Sequence, residues 1–496
     1  MTNKPYIKYS IALLGFLMMG CLGVAQIVTW GEDPRKLSRN SYFLTLGENP
    51  EGIYILSHSI RRGDINRFSL DLYEHNLKYS RSRNVRLRRR NLSKILVRDN
   101  SVAYITEPSR IRKGNIEYNA HILSPDLHTE IKQINLMRLE ATQSGASLFF
   151  KSRNAPNNQL LGVLGYQETG SQSSTLHYSV FDSAYTSLFS HRFTLPYLLS
   201  SDDIKQFAID NAGNLYLVIE QTNRKIKAGE GRENSYLVTF HGSDANLTTL
   251  NITEPEYSVK SCTFNFDPSL NRMILTGFYG PEKNAFQEGI FQVAISQNKG
   301  QVIYQYFTEI PPAFLSQVMG EKRVQQGQLL SKFEALSYAM MPQGRGVFIA
   351  ERRQREVYHD HMWANGMPIT ISKNLYHFDE ILLFCIDSTG AFIWKKSINK
   401  KQTSENDYGY YSSVVVGVMP HQIDLYFNDR KESGEILHYS VDPNGEIHNK
   451  VLLRPIVGGT RIIPIESRQI GYNRTLIPVI QQGSYSLLKI TYPHTQ

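Results

Sequence analysis

The 496-residue sequence predicts an all-β protein, a single β-propeller of eight four-stranded blades with seven blades as the runner-up. Three observations carry this. Hairpin-like segments recur, with turns roughly 50–60 residues apart and one interval of roughly 90. Two further strand-like runs precede each hairpin, which makes four strands per repeat. The last repeat is one strand short at the C-terminal end, while a spare strand-like stretch, QIVTW at 26–30, stands near the N-terminus. Pairing the two would close the ring and remove both exposed sheet edges.

The hairpins follow in order. FSLDLYEHNLKYSRSRNV (68–85) turns at Glu74-His75-Asn76, AHILSPDLHTEIKQINL (120–136) at Pro125-Asp126, and YSVFDSAYTSLFSHRFTL (178–195) near Ser183. YLVTFHGSDANLTTLNI (236–252) turns at Gly242-Ser243 and FQVAISQNKGQVIYQYFTEI (291–310) at Asn298-Lys299-Gly300. DEILLFCIDSTGAFIWKKSI (379–398) turns at Asp387–Gly390, and LHYSVDPNGEIHNKVLL (437–453) at Asp442–Gly445. Asp and Asn bond the backbone two residues on, and Gly takes positive φ, so these are turns with a mechanism. The preceding pair of strands is plain at KQFAID (205–210) and NLYLVIEQ (214–221), and again at YSSVVVGV (411–418) and QIDLYFND (422–429). The incomplete eighth repeat comprises RIIPIE (461–466), RTLIPVIQQG (474–483) and YSLLKITY (485–492). No Pro/Ser-rich linker divides the chain, so 26–496 reads as one domain despite its length. With 41% hydrophobic and 20% charged residues, the composition is that of a folded globular protein.

Lys4 and Lys8 precede IALLGFLMMGCLGVA, an apolar stretch of about 15 residues, short for a membrane span. Gly23 and Ala25 supply small residues for cleavage after Ala25, so 1–25 reads as a secretory signal peptide. The mature chain is then exported, to the periplasm, the outer membrane or the exterior. A rival processing site is Cys21 in LMMGC, which would carry a lipid anchor. No later run is long and apolar enough for a transmembrane helix. Cys262 and Cys385 fall on strands at different positions within their repeats, so two buried free thiols are expected, not a disulfide.

Link lengths select one face of the disc. The long links join second to third strands at 107–118, 222–234, 279–289 and 352–378, or join consecutive blades at 311–333. In an up-and-down blade both kinds emerge on the same side, and long loops on a rigid scaffold carry function. The 311–333 insertion has helix-like spacing at Phe314, Leu315, Val318 and Met319, and 352–378 reads as a long loop. Two stretches are candidate ligand sites. KYSRSRNVRLRRRNLSKILVR (78–98) holds nine Lys or Arg in 21 residues, with Arg86, Arg88, Arg89 and Arg90 as the focus. Such a patch suits carboxylate or phosphate groups. Nucleic acid is not expected as a partner of an exported chain with no recognised binding motif. The second is YHDHMW (358–363), where Tyr358, His359, His361 and Trp363, joined by His377, offer stacking and imidazole groups. No cysteine or spaced carboxylate completes a metal pattern there, so no metal is expected.

There is no G-x-S-x-G, P-loop or H-E-x-x-H, and no cofactor is expected. Glu351, Asp379 and Glu380 lie beside the histidines, so a carbohydrate-active hydrolase or lyase working around 351–380 is the alternative to the favoured function. The favoured function is a non-enzymatic binding or scaffolding protein of the cell envelope, recruiting a protein partner or an anionic glycan through the long-link face. The IDSTGAFIW hairpin (386–394) resembles the Asp-turn-Gly-to-Trp hairpins of sialidase Asp-boxes and quinoprotein blades. With the hairpin at 441–447 it makes the mature chain resemble uncharacterised exported bacterial β-propeller-like proteins. That resemblance implies fold and export, and it brings no catalytic residue with it.

Overall fold

The computed structural model describes residues 26–492 except 32–34, 37–40, 60–66, 142–147, 169–173, 196–197, 202, 222–233, 243–245, 253–256, 283, 365–366, 430–433, 455–458 and 472. The signal peptide and Cys21 readings lie outside the described residues. Among the described residues eight antiparallel sheets of four or more strands follow one another along the chain, and a two-stranded one pairs Phe286–Gln287 with Leu330–Ser331. The innermost strands of the eight are Ser41–Asn49, Arg90–Arg98, Leu148–Asn154, Ile204–Ile209, Tyr257–Asp267, Phe333–Met341, Val415–Met419, and in the eighth the pair Arg461–Ile462 and Arg468–Gln469. The eighth sheet continues through Arg474–Gln481 and Ser484–Thr491, and its outermost strand is Ile27–Trp30. That strand runs antiparallel to the last, with Ile27 opposite Thr491 and Trp30 opposite Leu488. Eight blades, closed by strands from both chain ends, replace the seven-blade alternative.

Eight hydrophobic clusters, one between each pair of neighbouring blades, hold the ring. Tyr118, Phe150 and Val163 join blades two and three; Phe348, Phe384 and Phe278 join five and six. The closing cluster, Phe43, Ile55, Tyr485 and Leu487, joins eight to one. Interior strands are covered on both faces, so Ser101–Thr106 and Leu161–Tyr166 are buried at every position. The outermost strand Tyr79–Arg86 has one wet face and alternates residue by residue.

The hairpin turns are pinned by their aspartates. The Asp387 Oδ1 accepts from the backbone N–H of Thr389 (2.8 Å) and Ala391 (3.1 Å), and Asp442 accepts from Asn444 and Glu446 in the same way. Each turn then docks on the preceding blade. A Cβ on Gly390 would sit 2.7 Å from the Tyr306 ring, and one on Gly445 would sit 2.7 Å from the Trp394 indole, whose Nε1–H donates to Pro443 O at 3.0 Å. Glycine is required at both by positive φ and by this close approach.

Helices occupy Pro312–Met319 and Glu321–Gln325, with Phe314 and Leu315 buried against blades five and six. The segment 352–378, expected as a loop, is a β-ribbon: Arg345–Ala364 and Met367–Ile386 are strands of 20 residues each, paired from Gly346–Ile386 to Ala364–Met367. Its apolar residues, such as Val357, Tyr358, Ile369 and Ile371, are interspersed with charged and polar ones, so the sequence reads as a loop. Cys262 and Cys385 are free and buried, and burial pushes their thiols up to about 12 and about 11. A thiol reagent is therefore expected to leave the native protein unmodified and to label both on denaturation. Labelling of Cys385 under native conditions would contradict this packing. Among the described residues no helix is long and apolar enough to cross a membrane.

Candidate functional site

The basic stretch separates into structural and available side chains. Arg83 donates to Leu127 O (2.9 Å) and His128 O (2.6 Å), tying blade one to blade two. Arg98 donates to Asp182 O (2.6 Å) and lies 4.5 Å over the Tyr185 ring. Arg90, one of the sequence candidates, opens blade two and donates to Thr106 Oγ1 (2.9 Å) and Glu117 O (2.7 Å). It is a structural residue, and it does not share a strand with Arg86, because the outer strand of blade one ends there. Arg88 and Arg89 are exposed in the interblade link, with Arg89 at φ 55°.

Arg86 lines a cleft of about 540 Å³ near the junction of blades one and eight, together with Arg35, Arg67, His58, Ser41, Ser57, Ser69 and Asn84. Arg35 is paired with Asp71 at 2.7 Å and lies 4.4 Å over the Tyr79 ring. Arg67 stands directly opposite Arg86 in strand register, both are exposed, and neither pairs with a carboxylate among the described residues. Like charges facing each other across a strand pair are unfavourable, and an anion between them removes that cost. Burial holds the His58 imidazole below its ordinary value, so it is neutral near pH 7 and serves as a hydrogen-bonding group.

Beside the cleft lies a feature that the sequence reading passed over. The link from blade six to blade seven crosses to blade one, where the Tyr410 hydroxyl accepts from Phe43 N–H at 2.8 Å. Tyr42 meets Tyr410 edge-on at 4.9 Å and stacks on His58 at 5.7 Å. Tyr408 is 67% exposed and lies 5.8 Å from the Tyr376 ring at the root of the ribbon. Asn406, Tyr408 and Ser413 all have positive φ (55°, 58°, 81°), a concentration of strain that persists where surroundings enforce it. The available signal was DYGYY (407–411), three tyrosines around a glycine in an interblade link.

The histidines do not converge. In the ribbon His359 is on one face, its Nδ1 2.9 Å from Ser372 Oγ, while His377 is on the other, with Nε2 3.7 Å from Glu356. Tyr358 is exposed opposite Lys373; His361 and Trp363 pair in register with Thr370 and Pro368. No group of three metal-ligating side chains occurs among the described residues.

The carboxylates at the ribbon's root are engaged. Glu351 is fully buried, with Lys400 Nζ 2.8 Å from one oxygen, and Arg353 Nε (2.8 Å) and the Ser413 hydroxyl (2.6 Å) on the other. Lys400 also donates to Phe378 O and Gln402 Oε1, both at 2.8 Å. Glu380 lies 3.5 Å from Arg352. Burial first, then Glu380, raises the Asp379 carboxyl above its ordinary range. These groups clamp the ribbon to the 399–414 link. Two further cavities open on this long-link face. One of about 590 Å³ is lined by Lys205, Lys260, Glu220 and Glu334, and one of about 170 Å³ by Asp407, Tyr411, Asp429 and Arg461.

No family model matches the chain, and no curated protein matches it. Among solved structures, the chain is similar to the WD40 domain of SCAP from fission yeast, at 9% identity and TM-score 0.43, covering 94% of this chain and 98% of that one. It is also similar to cobalt-substituted Synechocystis apocarotenoid oxygenase, at 10% identity and TM-score 0.36, covering 84% of this chain and 90% of that one.

Proposed function

We propose that this is a non-catalytic binding protein of the cell envelope whose ligand is an anionic saccharide held in the cleft of Arg67 and Arg86. The carrying observation is that pair: two exposed guanidiniums face each other in register with no carboxylate pairing with either among the described residues. Guanidiniums bind carboxylate or sulfate groups in bidentate fashion, and the Ser57, Ser69 and Asn84 side chains that share the cleft suit hydroxyl groups. Beside it the exposed Tyr408 and the half-buried Tyr42, held in place by the buried Tyr410, offer aromatic surface for sugar stacking. The alternative of a hydrolase or lyase at 351–380 needs two carboxyls facing substrate, and Glu351 lies buried between two cations.

Calorimetric titration with a sulfated polysaccharide, a polyuronate and a neutral dextran tests this reading. Binding of one acidic polymer is expected, weakening with salt. The Arg67→Ala/Arg86→Ala variant should lose about tenfold or more, the worth of a charge-assisted bond. Unchanged affinity in that variant, or equal binding of dextran, would sink the proposal. A second reading, capture of a protein partner, is favoured by the ribbon. Val357, Tyr358 and Ile371 are 52%, 57% and 41% exposed there, and residues 354–364 have an outer edge that no strand pairs among the described residues, open to strand addition.

A further inference from the structure

The cavity of about 170 Å³ where blades six, seven and eight meet is walled by three segments that are tied to one another. The Gln402 amide accepts from Ser413 N–H at 2.8 Å and donates to Asn428 O at 2.7 Å. The Asn428 amide donates to Tyr411 O at 2.8 Å and to Ile462 O at 2.9 Å, and it accepts from Ile462 N–H at 3.0 Å. These bonds hold the link 402–413, the end of strand Gln422–Asn428 in blade seven and the inner strand Arg461–Ile462 of blade eight around one space. Its walls are therefore set before any ligand arrives, which lowers the cost of binding.

Four charged side chains line the cavity: Asp407 and Asp429, Lys401 and Arg461. Lys401 is exposed and the other three are half-buried. Among the described residues none of the four is in an ion pair. Arg461 lies 5.4 Å over the Tyr411 ring, and Asp407 Oδ1 accepts from Gly409 N–H at 2.9 Å. Two more polar atoms stand in the same wall. Arg461 Nε and Ser404 Oγ are buried and make no hydrogen bond among the described residues, and Ser404 is only 5% exposed. Buried polar atoms are ordinarily hydrogen-bonded, so two without a partner at one cavity mark a place built for polar contact.

Size and charge together narrow the ligand. A water takes about 30 Å³ of liquid, so the space suits a molecule of roughly six non-hydrogen atoms, about half of a hexose. A simple anion drawn to Arg461 would also meet Asp407 and Asp429, and a simple cation drawn to the aspartates would also meet Arg461. A molecule carrying both charges meets an opposite one at each end, and the two carboxylates and two cations of the wall balance. We infer that this cavity binds a free α-amino acid with a small side chain, its carboxylate on the Arg461 guanidinium and its ammonium on Asp407 and Asp429. Charge-assisted bonds at both ends give such a site its selectivity.

Calorimetric titrations and thermal melts of the purified chain with glycine, alanine and serine, against acetate, ethylamine and alaninamide at matched ionic strength, test it. At least one of the three amino acids is expected to bind saturably and raise the melting temperature. Acetate, ethylamine and alaninamide each lack one of the two charges and should bind about tenfold or more weakly. Arg461→Gln and Asp429→Asn should each lower amino-acid affinity about tenfold or more, and Asp429→Asn stands in if Arg461→Gln fails to fold. Arg67→Ala/Arg86→Ala should keep the response, which separates this site from the cleft. No saturable binding of any of the three amino acids, equal binding of acetate or ethylamine, an unchanged affinity in Asp429→Asn, or a response lost only in the cleft variant would each overturn the inference.

Discussion

Glu351→Ala is expected to destabilise the protein by about 3–5 kcal/mol, the range for removing one partner of a buried ion pair. The side chains of Glu351 and Lys400 are 0% and 1% exposed, so solvent cannot screen the charge left behind. Three elements depend on this carboxylate: Arg353 at the ribbon's root, Lys400 after the last strand of blade six, and Ser413 before blade seven. Ser413 holds φ 81°, a conformation the network maintains against its intrinsic cost. Loss of the carboxylate should therefore also loosen the 399–414 link and open it to proteases. Urea midpoints and limited proteolysis measure both effects. A double variant, Glu351→Gln with Lys400→Met, should recover much of the loss, because replacing both partners leaves no buried charge unpaired. A drop below about 1 kcal/mol in Glu351→Ala would show that the pair is not the clamp described.

Deleting residues 26–31 is expected to cost about 2–4 kcal/mol and to make the protein self-associate. Val28 and Trp30 pack on the cluster between blades seven and eight, and burial of such side chains is worth about 1.5–3 kcal/mol each when complete. Without the strand, Leu488–Thr491 becomes an open edge, a template for pairing with another chain. Melting temperature and size-exclusion profile are the readouts, and a peptide spanning 26–31 added in trans should partly restore both. A truncated protein that melts like wild type and stays monodisperse would mean that the closing strand does not hold the ring.

How much of this was legible beforehand depends on the range of the signal. The turns at Asp387–Gly390 and Asp442–Gly445 rest on bonds spanning two to four residues, so they could be read from a few letters. The spare strand at 26–30 was legible because ring closure leaves one strand to be accounted for. The ribbon was not. Strand periodicity reports the contrast between a buried and a wet face, and at 354–360 and 370–374 the side chains are exposed or half-buried with none buried.

The candidate sites show the same division. Arg86 was picked out with Arg88, Arg89 and Arg90 as one patch. Only the registers assign Arg86 to a cleft and Arg90 to the interior bonding of blade two. Arg67 and Arg468 were not flagged, since nothing near them in sequence marks them, and the DYGYY run that marks Tyr410 does not say what its rings touch. Their partners lie across the fold: Tyr410 meets a strand 367 residues away, and Arg468 one 422 away. The sequence by itself determined the repeat, the turns and the strand that closes the ring, all through local hydrogen bonds and the two-residue period of a pleated strand. Tertiary structure alone decided which charges are paired, which face each other unpaired, and which loop is a ribbon. Those outcomes depend on strands brought together by ring closure, and no local preference encodes a neighbour hundreds of residues away.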